Sequence, residues 1–479
     1  MTNAAPAAPR AAIAPEPAIA SQTVRLREEM LHLLDRGMKS APPGRSAAES
    51  LAAEARWWEG ARLTDLAAAV RRAFAARRLL LGTPDRRTWR DSLSYIGDAD
   101  PADLTVSEHE YERSDIALRE DHPLAAPYPW SAGRDVGTDV RYTASGMAAI
   151  AAWYLALAKL TTGVTVVTNT LYYETETLFD LCSSPHVRVE PCAGREDFLD
   201  RLGTAPGPVV AFLDSCQPFG DAAMVGEVLS RAEELGLLAV VWDNACAPIA
   251  QDPCPGGWTG VPLVLLRSHH KLDELGLELA TLGSAAVAAP PGLDGPRQKH
   301  AEGLRDLLPK VLSVTGGHAT AASLLTMDRY GLPDPVLTAR ANAATRAANR
   351  SGGRALRAAL DGARGCLVQE YEHGCFVNVR LTGLRPRLGT PALDMAIRRA
   401  ADAAAAEGLA VWRSGSFGFH YTALSGWAVA SHDAESLGHG AHTVLRVCFG
   451  AHDDDAAAAV ARLVARQVRE LAPAARTPA

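Results

Sequence analysis

Residues 261–287 read VPLVLLRSHHKLDELGLELATLGSAAV, and their reading decides the fold. Two apolar runs, 261–266 and 281–287, have the length and composition of short buried strands. They enclose the polar cluster Arg267-Ser268-His269-His270-Lys271 and a turn containing Gly276. A lysine between two buried strands is uncommon, because a desolvated ammonium is costly unless it is paired, neutralised or made into a Schiff base. A solvated lysine at the end of an edge strand would give the same local sequence, so the neighbouring stretches have to decide.

Upstream, 237–241 is a run of the kind buried in a parallel sheet, and it delivers Trp242-Asp243-Asn244-Ala245 to its C-terminal end. Further upstream, Tyr142-Thr143-Ala144-Ser145-Gly146-Met147-Ala148-Ala149-Ile150 runs into an Ala-rich helical segment ending near residue 160. Small residues at a helix start let backbone N–H groups approach an anion that the helix dipole favours. Taken singly, each has a plain structural reading, since a strand-end Asp or a Ser-Gly pair is often only a helix cap. In the order anion loop, acid, lysine they match what pyridoxal 5'-phosphate (PLP) requires: a phosphate cradle, a partner for the pyridine nitrogen and a covalent anchor.

Further motifs resemble those of the Cys/Met-metabolism PLP enzymes, such as cystathionine γ-synthase and γ-lyase. Ser145-Gly146-Met147-Ala148-Ala149-Ile150 looks like the family's phosphate-binding S-G-M-A-A-I. Leu171-Tyr172-Tyr173-Glu174-Thr175-Glu176-Thr177-Leu178-Phe179 is similar to its L-Y-G-G-T-x-x-L-F, and Val241-Trp242-Asp243-Asn244 to its V-V-D-N. Ser268-His269-His270-Lys271 matches S-x-T-K at the serine and the lysine, and Val444-Leu445-Arg446-Val447-Cys448-Phe449-Gly450 resembles L-V-R-L-S-V-G. Departures are equally specific. His270 stands where the family has a phosphate-binding threonine, Ala245 replaces another threonine, and the S-N-P turn appears as Ser215-Cys216-Gln217-Pro218.

The resemblance implies a fold-type I PLP enzyme with Lys271 as Schiff-base residue and base, and Asp243 as pyridinium partner. Tyr172 would lie over the ring as a catalytic group, and Arg446 would clamp the substrate carboxylate. Ser145, Gly146, Met147, Ser268 and His270 would hold the cofactor, with Gln217 at the altered turn. Ser414 and Ser416, in Ser414-Gly415-Ser416-Phe417-Gly418-Phe419-His420-Tyr421, correspond to a segment near the substrate. Tyr111-Glu112-Arg113 resembles a Y-x-R motif that reaches into the neighbouring subunit, implying a homodimer or homotetramer with shared active sites in which Tyr111 and Arg113 bind cofactor. His270 could bind phosphate or tune Lys271, or fill the space of the missing threonine; His269 reads more as a packed residue. The implied chemistry is a carbon–heteroatom lyase acting on an amino acid by γ-elimination, or by β- or γ-elimination or replacement. The departures are reminiscent of a branch that forms the terminal alkyne propargylglycine from chloro-allylglycine. An aminotransferase is the alternative, disfavoured because 277–280, Leu-Glu-Leu-Ala, lacks the phosphate arginine many of those carry. A PLP-fold regulator is a remote one, since 24–81 shows no helix-turn-helix with a basic recognition helix.

Runs at 163–168, 187–192, 209–214, 237–243, 261–266 and 281–287 alternate with helical patterns, predicting a mostly parallel central sheet with helices on both faces. Residues 1–21, rich in Ala and Pro, are expected to be a disordered tail, and 22–140 an N-terminal helical extension and arm. In that extension the capping box Ser46-Ala47-Ala48-Glu49 opens a long helical pattern to about residue 81, with a kink expected near Gly60 and with Trp57, Trp58, Leu63, Leu66, Val70 and Phe74 largely toward one side, and 104–140 is irregular. Residues 141–297 form the large PLP-binding domain. Residues 298–479 hold connecting helices, 298–360, and a smaller C-terminal α/β domain with strands at 366–371, 376–381, 410–413 and 444–449 and a last helix at 456–471.

The chain of 479 residues is 48% hydrophobic with a formal net charge of -7, which offers no electrostatic footprint for nucleic acid. No apolar run reaches a membrane-spanning length, and the N-terminus lacks a signal-peptide core. Eight cysteines lie scattered without a C-x-x-C pair. That pattern favours reduced, mostly buried thiols in a cytoplasmic protein, with neither a disulfide frame nor a metal site.

Overall fold

The apolar runs become strands of a seven-stranded sheet ordered β3-β9-β8-β7-β6-β4-β5. Its strands are β3 (Gly137–Thr143), β4 (Val164–Asn169), β5 (Val187–Cys192), β6 (Val209–Asp214), β7 (Leu237–Asp243), β8 (Leu263–Ser268) and β9 (Gly283–Ala289). The computed structural model describes residues 16–39, 45–61, 66–80, 89–91, 116–118, 124, 127–131, 136–320, 323–324, 326–327, 330–382, 386–429, 442–450 and 454–474. Strands β4 to β8 pair in parallel, whereas β9 runs antiparallel to both β8 and β3. The β8–β9 reversal therefore places Lys271 at the edge where β6, β7 and β8 end.

Why these runs are almost wholly apolar follows from burial on both faces. Alternate residues Val210, Phe212, Val241 and Val264 pack under α4 (Gly146–Leu160) and α8 (Gly295–Thr315), while Ala211, Leu213, Trp242 and Leu265 pack on the opposite side under α6 (Arg195–Thr204) and α7 (Ala222–Ser230). Both lysine-flanking strands begin two residues later than their apolar runs. Pro262 has no N–H to donate, and Arg267 and Ser268, polar as they are, continue the ladder opposite Ser284 and Gly283.

Other expectations need correcting. Helix α1 (Glu16–Lys39) starts inside the stretch expected to be a tail. The long helical pattern does not merely kink near Gly60 but ends there, giving α2 (Arg45–Gly60) and α3 (Leu66–Leu80). Trp58 is buried but Trp57 is 37% exposed with the Arg72 guanidinium over its ring, because adjacent helical residues point about 100° apart; Leu63 and the Phe74 side chain lie outside the described residues. Strand β3 extends four residues into the segment read as irregular, and the boundary at 141 cuts it; Thr138, Asp139 and Arg141 on this edge strand masked its apolar signal. The connecting segment carries, among the described residues, the helices α8 and Pro335–Ala359, in keeping with the connecting helices expected there.

The smaller sheet is ordered β10-β11-β14-β13-β12, with β10 (Cys366–Glu370), β11 (Val377–Thr382), β12 (Val411–Arg413), β13 (Thr422–Val429) and β14 (His442–Cys448). Strand β13 went unread because Ser425 and Gly426 interrupt its apolar alternation. Helices Pro335–Ala359, Pro386–Ala406 and Asp454–Ala474 share its core. The N-terminal helices bury Leu26, Met30, Leu33, Trp58 and Val70 in one cluster with Leu272, Leu275, Phe417 and Phe419, so the extension backs the turn that carries Lys271.

Candidate active site

Residues 269–276 turn tightly after β8, and the turn is held from below. Arg267, fully buried, donates through Nε and Nη2 to the two carboxylate oxygens of Asp273, both at 2.6 Å, and through Nη1 to the backbone oxygens of Asn244 and Ala247. His269 is buried on the same side, its Nδ1 2.6 Å from Asp273 Oδ2 and its Nε2 2.8 Å from Ser284 Oγ. Burial alone would raise the Asp273 carboxyl, but Arg267 and His269 hold it down at about 2. Burial keeps His269 below its ordinary value, so a neutral ring donating from Nδ1 suits this network. Above it, Gly276 adopts φ 73°, and a Cβ there would lie 2.4 Å from the Phe419 ring. Leu275 and Glu278 also have positive φ, a strain characteristic of functional turns.

Asp273→Ala is expected to destabilise the large domain by about 3–5 kcal/mol at neutral pH, because it strands a buried guanidinium. The folded carboxyl lies below its unfolded value, so its contribution is full above the unfolded pKa and fades as pH falls toward about 2. Urea unfolding of both proteins at neutral and acid pH checks this. A loss under about 1 kcal/mol at neutral pH would place the turn's stability elsewhere.

Against this support stand the groups facing the strand edge. Lys271 Nζ lies 4.5 Å from the Phe417 ring centroid and 5.9 Å from that of Tyr172. Asp243 ends β7; its Oδ1 accepts the Ala245 N–H at 3.1 Å, and Oδ2 makes no hydrogen bond among the described residues. Asp214 ends β6 in register with Asp243 and accepts the backbone N–H groups of Tyr172 and Cys216, both at 2.8 Å. Burial raises both carboxyls, and the charge of Asp243 raises Asp214 further, while Lys271 and Arg267 favour ionised Asp243. Asp214 thereby fixes the start of α5 (Tyr173–Leu181) and with it Tyr172. Burial pushes the Tyr172 phenol well above its ordinary value, so it stays a neutral hydroxyl.

Arg446 on β14 is 3% exposed, amid the rings of Phe376, Phe417 and Trp427. Its Nε donates to Ser425 Oγ at 3.1 Å and its Nη2 to the Gly415 oxygen at 2.7 Å, leaving buried Nη1 without a hydrogen-bond acceptor. A buried guanidinium with one idle donor suits an incoming carboxylate. Ser416 Oγ is also buried without a partner, whereas Ser414 Oγ accepts from Ser416 N and Tyr421 Oη. The segment 414–421 is packed, with Phe417, Phe419 and His420 buried. His420 Nε2 lies 2.7 Å from Glu29 of α1, and Arg25 donates to the Phe419 oxygen at 3.4 Å.

On the other side of the edge, Ser145 caps α4, accepting from Ala148 N at 3.1 Å. Gly146 packs so closely on Ser268 that a Cβ would come within 2.8 Å of the serine Cβ. The N–H groups of Gly146 and Met147 have no acceptor among the described residues, as expected of a helix start open to an anion. His270 Nδ1 meets the Ala280 oxygen at 2.7 Å, with Glu274 and Glu278 each 3.8 Å from its ring nitrogens. Gln217 N–H donates to the Asp214 oxygen at 3.1 Å. Tyr111 and Arg113 lie outside the described residues.

The structure thus brings Lys271, Tyr172, Asp243 and Arg446 together, with Gly146 packed on Ser268 at the start of α4. His269 belongs to the support beneath. Sequence reasoning missed Asp214, Phe417 and Glu29. Only Asp214 left a signal, since it ends a predicted strand next to the one ending in Asp243.

No protein-family model and no curated sequence matches this chain. Among solved structures it is similar to a cystathione gamma lyase from Micromonospora echinospora, at 18% identity over 82% of this chain and 99% of that one, with a TM-score of 0.47. It is also similar to a cystathionine gamma synthase from Xanthomonas oryzae pv. oryzae, at 15% identity over 83% of this chain and 98% of that one, with a TM-score of 0.49. Likenesses this loose establish no activity for the chain.

Proposed function

We propose that the chain is a PLP-dependent carbon–heteroatom lyase acting on an amino acid by γ-elimination, of the cystathionine γ-synthase and γ-lyase type. The observation that carries this is the buried Arg446 with an idle Nη1, beside the same Phe417 ring that Lys271 contacts. The residues present fit the cofactor. The open N-terminus of α4 and Ser268 would hold its phosphate, Asp243 Oδ2 its ring nitrogen, and Lys271 its aldehyde carbon. When bound, PLP supplies a protonated ring conjugated to the substrate Cα, which takes up the electron pair left by a departing proton.

Each side chain then has a task its position allows. Arg446 binds and orients the substrate carboxylate through paired hydrogen bonds, and the surrounding Phe376, Phe417 and Trp427 rings keep water from competing. Lys271, as a neutral amine, removes the Cα proton, gives that proton up within the site, and only then takes a Cβ proton, being tethered within reach of both positions. Asp243 keeps a proton on the ring nitrogen. The neutral Tyr172 phenol donates toward a departing group.

The substrate we infer is a γ-halogenated amino acid such as chloro-allylglycine, converted to propargylglycine with net loss of a proton and chloride. Chloride needs no protonation to leave, so it asks less acid assistance than a thiolate. The departures at His270, Ala245 and Gln217 and the N-terminal extension support a specialised branch over housekeeping transsulfuration. Incubation with cystathionine, O-acylhomoserine, methionine and γ-halogenated amino acids, followed by assay of halide, ammonia and keto acid and by mass spectrometry for the alkyne, tests both levels. Halide release with an alkyne product is expected. Turnover of cystathionine or methionine without halide release sinks the halogenated substrate alone. Accumulation of the pyridoxamine form, reversed by a keto acid, sinks the lyase reading.

A further inference from the structure

Two turns far apart in the chain place Cys246, His373 and Cys375 together, with the two sulfurs and a ring nitrogen within 4.8 Å of one another. Cys246 follows β7 in the turn that begins with Asp243 and Asn244, while His373 and Cys375 lie on the turn between β10 and β11. The cluster therefore spans the seam between the large and the small sheet, and all three residues are buried. Cys375 Sγ lies 3.6 Å from the Cys246 oxygen. His373 Nδ1 accepts the Cys375 N–H at 2.8 Å, which orients the ring, and buried Nε2 makes no hydrogen bond. The Cys216 thiol, in the turn after β6, interacts with that of Cys246 but stands outside the group within 4.8 Å.

We propose that Cys246, His373 and Cys375 form a binding site for a thiophilic divalent cation of the zinc type through these three protein ligands. Tetrahedral zinc has bonds of about 2.3 Å to sulfur and 2.0 Å to nitrogen, so its ligand atoms stand roughly 3.5–3.8 Å apart. Closing from 4.8 Å asks for a shift of about 1 Å. Binding releases the protons of Cys246 and Cys375, and the two thiolates neutralise the dication, which matters in a site where an isolated charge is expensive. A neutral His373 donates through Nε2, the nitrogen its Cys375 N–H bond leaves free. The cation would tie the two sheets together one turn away from Asp243. None of the PLP chemistry above is needed for this site, nor does the site supply any step of it.

The test uses the full-length holoprotein under a thiol-free reductant. After loading with Zn2+ and gel filtration, elemental analysis should find one zinc per chain, and X-ray absorption should read at least two sulfurs at about 2.3 Å. Loading with Co2+ instead should give intense tetrahedral d–d bands, to the red of any yellow chromophore. Cys375→Ser and Cys246→Ser should each weaken binding by more than the roughly 10–100-fold that follows from disturbing a mere orienting partner, whereas Cys182→Ser, away from the cluster, should leave it unchanged. Absence of stoichiometric metal in the reduced wild type, a metal shell without sulfur, or equal loss in Cys182→Ser and Cys375→Ser overturns the proposal. Should both cluster variants fail to fold, the wild-type absorption spectrum decides alone.

Discussion

Lys271→Ala is expected to abolish the visible absorption of the purified holoprotein and to cut turnover by about 10,000-fold or more, the scale of losing a positioned proton-transfer group together with a covalent anchor. The turn explains why no neighbour should substitute. Lys271 is held over the Phe417 ring at the end of β8, and the Arg267–Asp273 pair beneath fixes the backbone that presents it. Arg446, whose charge also acts on Tyr172, has a guanidinium that cannot lose a proton at working pH. Borohydride reduction followed by peptide mapping should find the cofactor on Lys271 in the wild type. Trapping at another lysine in Lys271→Ala would show that the anchor had been misassigned.

Asp243→Asn is expected to keep the cofactor's absorption band while lowering turnover about 100- to 1,000-fold, comparable to removing one pre-oriented electrostatic partner. An amide of the same shape still accepts the Ala245 N–H, so the turn survives. What it cannot do is hold a proton on the ring nitrogen. Burial holds the Asp243 carboxyl above its ordinary range, and a cation at its free oxygen would pull it back toward ionisation. In the variant, Asp214 loses the charge that raises it and should ionise at lower pH. Turnover by Asp243→Asn at the wild-type rate would remove this residue from the mechanism; Asp243→Glu, with its charge kept, separates the loss of charge from a packing defect.

Much of this architecture was legible because burial on both faces writes itself into composition. The central runs 209–214 and 237–243 coincide with β6 and β7 as observed, each being apolar along its length and bounded by turn residues, and 187–192 coincides with β5 although that edge strand carries Arg188 and Glu190. Strands interrupted by polar residues were harder. Strand β3 alternates polar and apolar residues, and β13 carries a Ser-Gly pair, so neither has the continuous apolar signal of a central strand. At the cleft, Lys271, Asp243, Tyr172 and Arg446 could be named from local motifs, since each sits at a fixed offset from the end of a readable strand or helix.

Geometry across the chain was a different matter. No spacing in the sequence states that Asp214 and Asp243 end neighbouring strands in register, because strand order is set by how crossover helices pack on the sheet. Nor does any spacing reveal that Glu29 of the first helix meets His420 beside the Lys271 turn, or that Cys246 meets His373 and Cys375 across two sheets. The sequence by itself determined which runs are buried and which polar residues stand at their ends, since periodicity and side-chain chemistry are local. Which of those residues face one another was decided only by the tertiary structure, because that depends on strand order and on the docking of separate layers, to which residues hundreds of positions apart contribute equally.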